Sequence, residues 1–183
     1  FIIKGKLRLI DKSKNGELFT LKTYSEGEYV GAIQLLSGFF KHSIAASSNV
    51  RGLLFPANKF IKLILKEKDF LNAFSLVDSI EWYSALRSNI DFQKFESKTL
   101  LNWSKKEFPN LIRIFNAAPG LNFFNQDKGQ WIISSCNIKD SPAGYFLKSP
   151  REYIVEGSIP ARLIPLSLDL QRRLNFFKEK FNK

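Results

Sequence analysis

Methionine is absent from the chain, and cysteine and histidine occur once each, as Cys136 and His42. One cysteine cannot close an intramolecular disulfide, and the two residues together cannot supply the ligands of a Cys/His zinc site. No apolar run approaches the ~20 residues that a bilayer-crossing helix needs. No signal-peptide pattern is visible, and there is no tandem repeat, heptad run or low-complexity tract. No Walker-type glycine loop followed by Lys-Ser/Thr occurs, so the sequence shows no ATPase site. The missing methionine, with a strand-like run already under way at Phe1, leads us to expect a segment of a longer protein.

What is present reads as globular. Hydrophobic residues make up 44% of the 183 positions and charged residues 25%, with 18 Phe. A chain of this length can bury a core without disulfides. Its 28 basic and 17 acidic residues leave a net charge of +11. That excess permits contact with an anionic membrane surface, an acidic protein or nucleic acid. The lysines are scattered, and no reading helix or ribbon stands out, so sequence-specific nucleic-acid binding is not expected.

The first part reads as strands. Leu7 and Leu9 alternate with charged neighbours, residues 11–16 form a polar turn, and Leu18 and Thr20 continue a second strand opposite the first. Ser25 to Glu28 is another turn, followed by an apolar run from Val30 to Leu36. Ile44 to Ser47 and Val50 to Phe55 read as further short strands, the pattern of a sandwich or roll. After Pro56 the period becomes helical. Phe60, Leu63 and Ile64 share one face. A second helix is expected from an Asp69 cap, with Phe70, Ala73, Phe74, Val77 and Ile80 on its stripe, running to about Ser88. Another covers about 96–106, and Pro109 fits the first turn of a further one carrying Ile112, Phe115 and Asn116. Extended structure returns at Gln130–Ser135, Tyr145–Leu147, Tyr153–Val155 and Ala161–Leu166. The basic, Phe-bearing tail from Leu170 to Lys183 is an amphipathic helix or a linker.

Residues Phe1 to about Phe74 resemble the cyclic nucleotide-binding domain family. The likeness rests on Ile3-x-Gly5-x-Leu7-Arg8-Leu9, Leu21-x-x-Tyr24-Ser25-Glu26-Gly27-Glu28-Tyr29-Val30-Gly31, Leu35-Leu36, Ala46 and the run Leu53 to Phe60. It implies a β jelly roll followed by helices. The family's first helix and strands fall before Phe1, so the roll is expected to be incomplete or rearranged, with Leu53 to Phe55 its last strand and Pro56 opening a helix. The whole chain is also similar to the cytoplasmic amino-terminal extension of cyanobacterial peptidase-containing ATP-binding cassette exporters, through Trp131 to Ser135, Gly144-x-x-Leu147 and Arg162-Leu163-Ile164. That likeness implies a location at the inner face of a membrane, through a parent protein that carries the membrane and ATPase parts.

The first resemblance places a ligand cassette at Gly31, Ala32, Ile33, Phe40, Lys41, His42 and Ser43. In the family a Glu accepts the ribose hydroxyl and an Arg pairs with the cyclic phosphate. Ala32 occupies the Glu position, and the Arg position falls on Phe40 or, with a one-residue slip, on Lys41. The cassette therefore reads as degenerate, and cyclic nucleotide is not an expected ligand. His42 has no orienting acid in sequence, and Ser43 beside it points to the opposite face of a strand, so neither reads as catalytic. Cys136 reads as a packed residue. Glu26 and Glu28 read as a solvated turn, and Asp78 and Glu81 as surface charge. Phe70, Phe74, Trp82 and Tyr83 read as sealing helices against the roll, and Trp103, Phe108, Phe115, Phe123, Phe124 and Trp131 as a second core. Arg172, Arg173, Phe176, Phe177 and Lys178 form a candidate docking face.

These observations give a mixed α+β chain: a jelly roll with its helices over 1–88, a helical segment and small β-containing unit over 89–169, and a basic tail over 170–183. The expected role is a non-catalytic regulatory or docking module of a membrane-linked exporter. Its partners are the parent's other domains, an anionic membrane surface or an acidic protein. It carries no cofactor or metal. A genuine cyclic-nucleotide sensor is the first alternative. A transcription regulator of the same roll family, with Leu100 to Asn116 imitating a helix-turn-helix, is the second.

Overall fold

Leu9 is buried and Leu7 half-buried, while Arg8 between them faces solvent, the alternation of a strand with one covered face. This strand, β2 (Leu7–Lys12), follows β1 (Ile2–Lys4) and pairs antiparallel with β3 (Leu18–Tyr24) through a turn closed by Ser13 and Glu17. The computed structural model describes residues 1–108, 112–124, 129–148 and 151–181, which divide into two compact units, Phe1–Phe74 and Ser75–Lys183. The division falls at Phe74/Ser75, whereas the sequence places the helices through Ser88 with the first part.

In the first unit α1 (Ala32–Ser37) separates β3 from β4 (Ser43–Ala46), which pairs with the other edge of β2. The order β3-β2-β4 makes one sheet, and β1 with β5 (Arg51–Gly52) makes another. The strand expected over Val50 to Phe55 is cut to these two residues. Leu53 still exchanges backbone hydrogen bonds with Phe1, but Leu54 and Phe55 lie outside any strand and are exposed. Pro56 does open a helix, α2 (Ala57–Lys66), which buries Phe60 and Ile64 one turn apart. Phe60 meets Phe70 and Phe74 edge-on, each at 5.7 Å.

The helix expected from Asp69 to Ser88 is broken. It becomes α3 (Lys68–Asn72), preceded by Glu67, and α4 (Ser79–Ser88), with non-helical chain between. The apolar spacing across the break is real, but long-range pairing outweighs it. Ile114 N–H donates to the Ser75 carbonyl, Val77 N–H donates to the Ile112 carbonyl, and Leu76 forms an antiparallel bridge with Arg113. Asp78 then starts α4 by accepting from the N–H groups of Ile80 and Glu81, at 3.0 and 2.8 Å. The same pairing denies a helix to Ile112, Phe115 and Asn116. Phe115–Ala117 is strand β6, while Pro109 lies outside the described residues.

The second unit continues with α5 (Ser97–Glu107), started by the Glu96 carboxylate on the Thr99 N–H at 2.7 Å. Burial raises the Glu96 pKa, but hydrogen bonds from the Lys98 and Thr99 backbones outweigh it and leave the pKa lowered. Strands β7 (Gly120–Phe124), β8 (Gln130–Ile133), β9 (Phe146–Lys148), β10 (Arg151–Val155) and β11 (Ala161–Leu166) follow, and α6 (Leu168–Phe181) closes the unit. All pairings are antiparallel, in a sheet ordered β6-β11-β8-β9 and a β7-β10 pair. Trp131, Ile133, Ala161 and Leu163 join Leu147, Tyr153 and Val155 in one apolar cluster. By alternation, Ile132, Arg162 and Ile164 face the other side of the sheet, and all three are buried. Burial also raises the pKa of the Tyr153 phenol.

Of the expected aromatic core, Trp82, Tyr83, Phe108 and Trp131 are buried, whereas Phe115 and Phe123 are exposed. The Phe124 side chain lies outside the described set. Cys136 is exposed rather than packed. No helix among the described residues is long and apolar enough to cross a membrane.

Candidate functional site

Helix α1 begins at Gly31 (φ +89°) and stops at Gly38 (φ +68°). Both values lie in the left-handed region, which glycine enters without a Cβ clash. Leu36, Ser37 and Phe39 are buried and anchor the segment, and no side chain caps its start. Ala32 is its first residue and, like Ile33, is half-buried. The Ala32 methyl can accept no hydrogen bond.

The other end of the segment carries Phe40, Lys41, His42 and Ser43. Phe40 is 66% exposed. The Lys41 ammonium lies 5.2 Å from the Phe39 ring centroid, a cation–π contact. His42 also packs on Phe39, at 5.6 Å, with Nδ1 3.8 Å from Asp11. Its imidazole is almost wholly buried. Ser43 is exposed on β4 opposite Ile10. The structure thus gathers Lys41, His42, Phe39 and Asp11 into one cluster after α1, while Gly31 to Ile33 sit at the helix's far end. Nearby, Glu26 and Glu28 accept the N–H groups of Gly5 and Ser25, as befits a turn. No group of His, Cys, Asp and Glu suited to a metal ion occurs among the described residues.

In the second unit the pair read as surface charge has other roles. Asp78 is the cap of α4, and Glu81 is buried against Arg162. Glu81 Oε1 accepts from Arg162 Nε at 2.8 Å and from Ser134 Oγ at 2.7 Å, and Oε2 accepts from Arg162 Nη2 at 2.9 Å. Arg162 N–H also donates to Ser135 Oγ. The sequence did carry a signal. Arg162 is the one charge within Ala161–Leu166, and Glu81 stands between Ile80 and Trp82.

The expected docking face on α6 is divided by the helix itself. Phe177 is fully buried, with ring contacts to Trp103 (4.8 Å), Phe95 (4.9 Å) and Phe92 (6.2 Å), so it is core and cannot meet a partner. Lys178 is engaged with Asp91 at 2.7 Å. Arg173 is held by Asp169 at 2.8 Å and Glu107 at 3.2 Å. Phe176 is 64% exposed, and Arg172 is also exposed. These two line a groove of about 560 Å³ between α5 and α6, together with Trp103, Lys106, Lys180 and Phe181 among others. The α5 wall of this groove escaped the sequence reading. Its helix is expected over about 96–106 and Trp103 reads as core, but nothing local marks Trp103 and Lys106 as one wall of a groove.

No family model and no curated protein matches the chain. Among solved structures, the chain is similar over 98% of its length to 66% of a cAMP-bound PfPKA-R chain, at 12% identity and a TM-score of 0.38. It is similar over its whole length to 75% of the regulatory domain of Toxoplasma gondii PKA co-crystallised with cAMP, at 14% identity and a TM-score of 0.38. Likenesses of that size carry no argument about this chain's fold or function.

Proposed function

We propose that this chain is a non-catalytic regulatory or docking module whose first unit is a cyclic nucleotide-binding-like roll with a degenerate ligand cassette. The carrying observation is helix α1, held between left-handed Gly31 and Gly38 and inserted between β3 and β4, with Ala32 as its first residue. That is where the sequence resemblance puts the ligand cassette, and the expected carboxylate is replaced by a methyl. Lys41 supplies a cation, but an ammonium lacks the guanidinium's bidentate fork.

The parent, in this proposal, is a membrane-linked exporter, and the chain acts on the parent's other domains through contact rather than chemistry. The exporter part rests on the sequence likeness alone, and the residues that carry that likeness are packed together. Ser134, Ser135 and Arg162 meet in one hydrogen-bonded cluster with Glu81, Trp131 and Leu163 share the core, and Gly144 accepts the Asn89 side-chain amide on its carbonyl at 2.7 Å. Such a set specifies a packed unit, and none of it forms a nucleophile–base pair.

Restoring the cassette tests the proposal. Ala32→Glu combined with Lys41→Arg, or with Phe40→Arg for the other register, should create cyclic AMP binding measurable by calorimetry. No gain from either combination counts against the assignment of α1 as a cassette. The reading frame beyond Lys183 tests the parent. It should encode a peptidase, membrane helices and a Walker loop.

A further inference from the structure

The groove between α5 and α6 lies wholly within the second unit. Phe177, buried behind the lining, packs ring to ring on Trp103 and Phe181, each 4.8 Å away, and so fixes the two rings that the groove presents. Phe176 and Phe181 leave 64% and 40% of their surface in water. The ionic lining is lopsided: Lys106, Arg172, Arg173 and Lys180 stand against Glu107 alone. Glu107 is already taken by Arg173, which Asp169 also holds. Lys106, Arg172 and Lys180 make no ion pair among the described residues.

Exposed aromatic rings beside cations without counter-charges set two demands on an occupant. It must cover apolar surface, and it must bring negative charge. A neutral apolar molecule meets only the first, and an inorganic anion only the second. The groove's volume falls within the roughly 300–1,000 Å³ of small-molecule sites. Its concavity suits a body that inserts between two helices, which a flat bilayer face does not do.

We infer that this groove binds a small soluble amphiphilic anion, one acidic head group on an apolar body. Lys106, Arg172 and Lys180, spread along the groove, supply the positive field that draws the head in, and Trp103, Phe176 and Phe181 cover the body. The site is separate from the α1 cassette and does not depend on how that cassette is read.

Dodecanoate is a suitable probe, below its micelle concentration, with dodecanol and dodecyltrimethylammonium as neutral and cationic controls. Trp103 is a built-in reporter, because Trp82 and Trp131 are buried in the core. Titration of the full chain should give a saturable shift in tryptophan emission with dodecanoate, lost in Trp103→Phe. Calorimetry should show one-to-one binding, weakened at least about tenfold by Arg172→Glu with Lys180→Glu and weakened further by added salt. These two positions are exposed, and circular dichroism of the double variant checks that it folds. Asn102→Phe, which places a ring in the groove, should block the probe without changing charge. Any of four results overturns the inference: no saturable binding, equal binding of the cationic control, an emission shift that survives Trp103→Phe, or binding of anionic-lipid vesicles with none of free dodecanoate.

Discussion

Arg162 and Glu81, 81 positions apart in sequence, meet in a fully buried, two-pronged ion pair with Nε–Oε1 2.8 Å and Nη2–Oε2 2.9 Å. It joins the central strand β11 to helix α4, and Ser134 of the segment after β8 donates to the same carboxylate. Neither charge can reach water, so each depends on the other. Removing one partner strands the remaining charge, at a cost of about 3–5 kcal/mol. That is a large share of the ~5–15 kcal/mol that stabilises an ordinary domain.

Arg162→Met and Glu81→Leu should therefore each destabilise the second unit severely, while the double variant should be more stable than either single one. Urea unfolding of the four proteins measures this. Additive losses would mean that the two side chains act independently.

Gly144 and Gly157 both have positive φ, +86° and +79°. A Cβ on Gly144 would lie 2.6 Å from the Ala85 carbonyl oxygen and 2.6 Å from the Asn89 nitrogen, both backbone atoms at the end of α4, whereas nothing lies within 4 Å of one on Gly157. Gly157→Ala should cost only the ~1–2 kcal/mol of a left-handed non-glycine residue. Gly144→Ala should cost clearly more, because two backbones must separate. Thermal unfolding ranks them, and equal losses would contradict the close approach.

Asp91 accepts from the Lys178 ammonium at 2.7 Å, and that hydrogen bond, then the charge itself, holds the carboxyl below its ordinary value of 3.8. A lowered folded-state pKa adds stability above the unfolded-state value and loses it as pH falls through the folded-state one. The pair is exposed, so its contribution is small. Asp91→Asn should lower the melting temperature slightly at pH 7. The difference should shrink below pH 3.8 and vanish once the folded carboxyl is protonated. A gap independent of pH would assign the loss to something other than the charge.

Much of the β-structure was legible in the sequence, because each strand's signal is local. Ala161–Leu166 matches its expected span, Gln130–Ile133 lies within its own, and Leu7 and Leu9 turn the same side to the core. Pro56 marks its helix for an equally local reason. The errors lie where distant chain decides. Phe70 to Ile80 carry a true helical stripe, yet Ser75 and Val77 pair with Ile114 and Ile112 instead. Helix α1 was missed because six residues with no side-chain cap leave almost no local trace. The resemblance proposes cassette positions but gives no sign of the burial of His42 or the seating of Lys41 on Phe39. Phe177 shared its basic, aromatic surroundings with Phe176, and only the helix phase separates core from groove.

Titration of the unaltered chain with cyclic AMP and cyclic GMP tests the central claim most directly. A ribose hydroxyl left without an acceptor beside Ala32 costs about 1–3 kcal/mol, and losing a charge-assisted bidentate contact to the phosphate about 1.5–3 more. Together these weaken binding by roughly two to four orders of magnitude, at about 1.4 kcal/mol per tenfold. Calorimetry should find no saturable binding of either nucleotide at micromolar concentrations. One-to-one binding of either at low micromolar would contradict the degenerate cassette and make this chain a cyclic-nucleotide sensor.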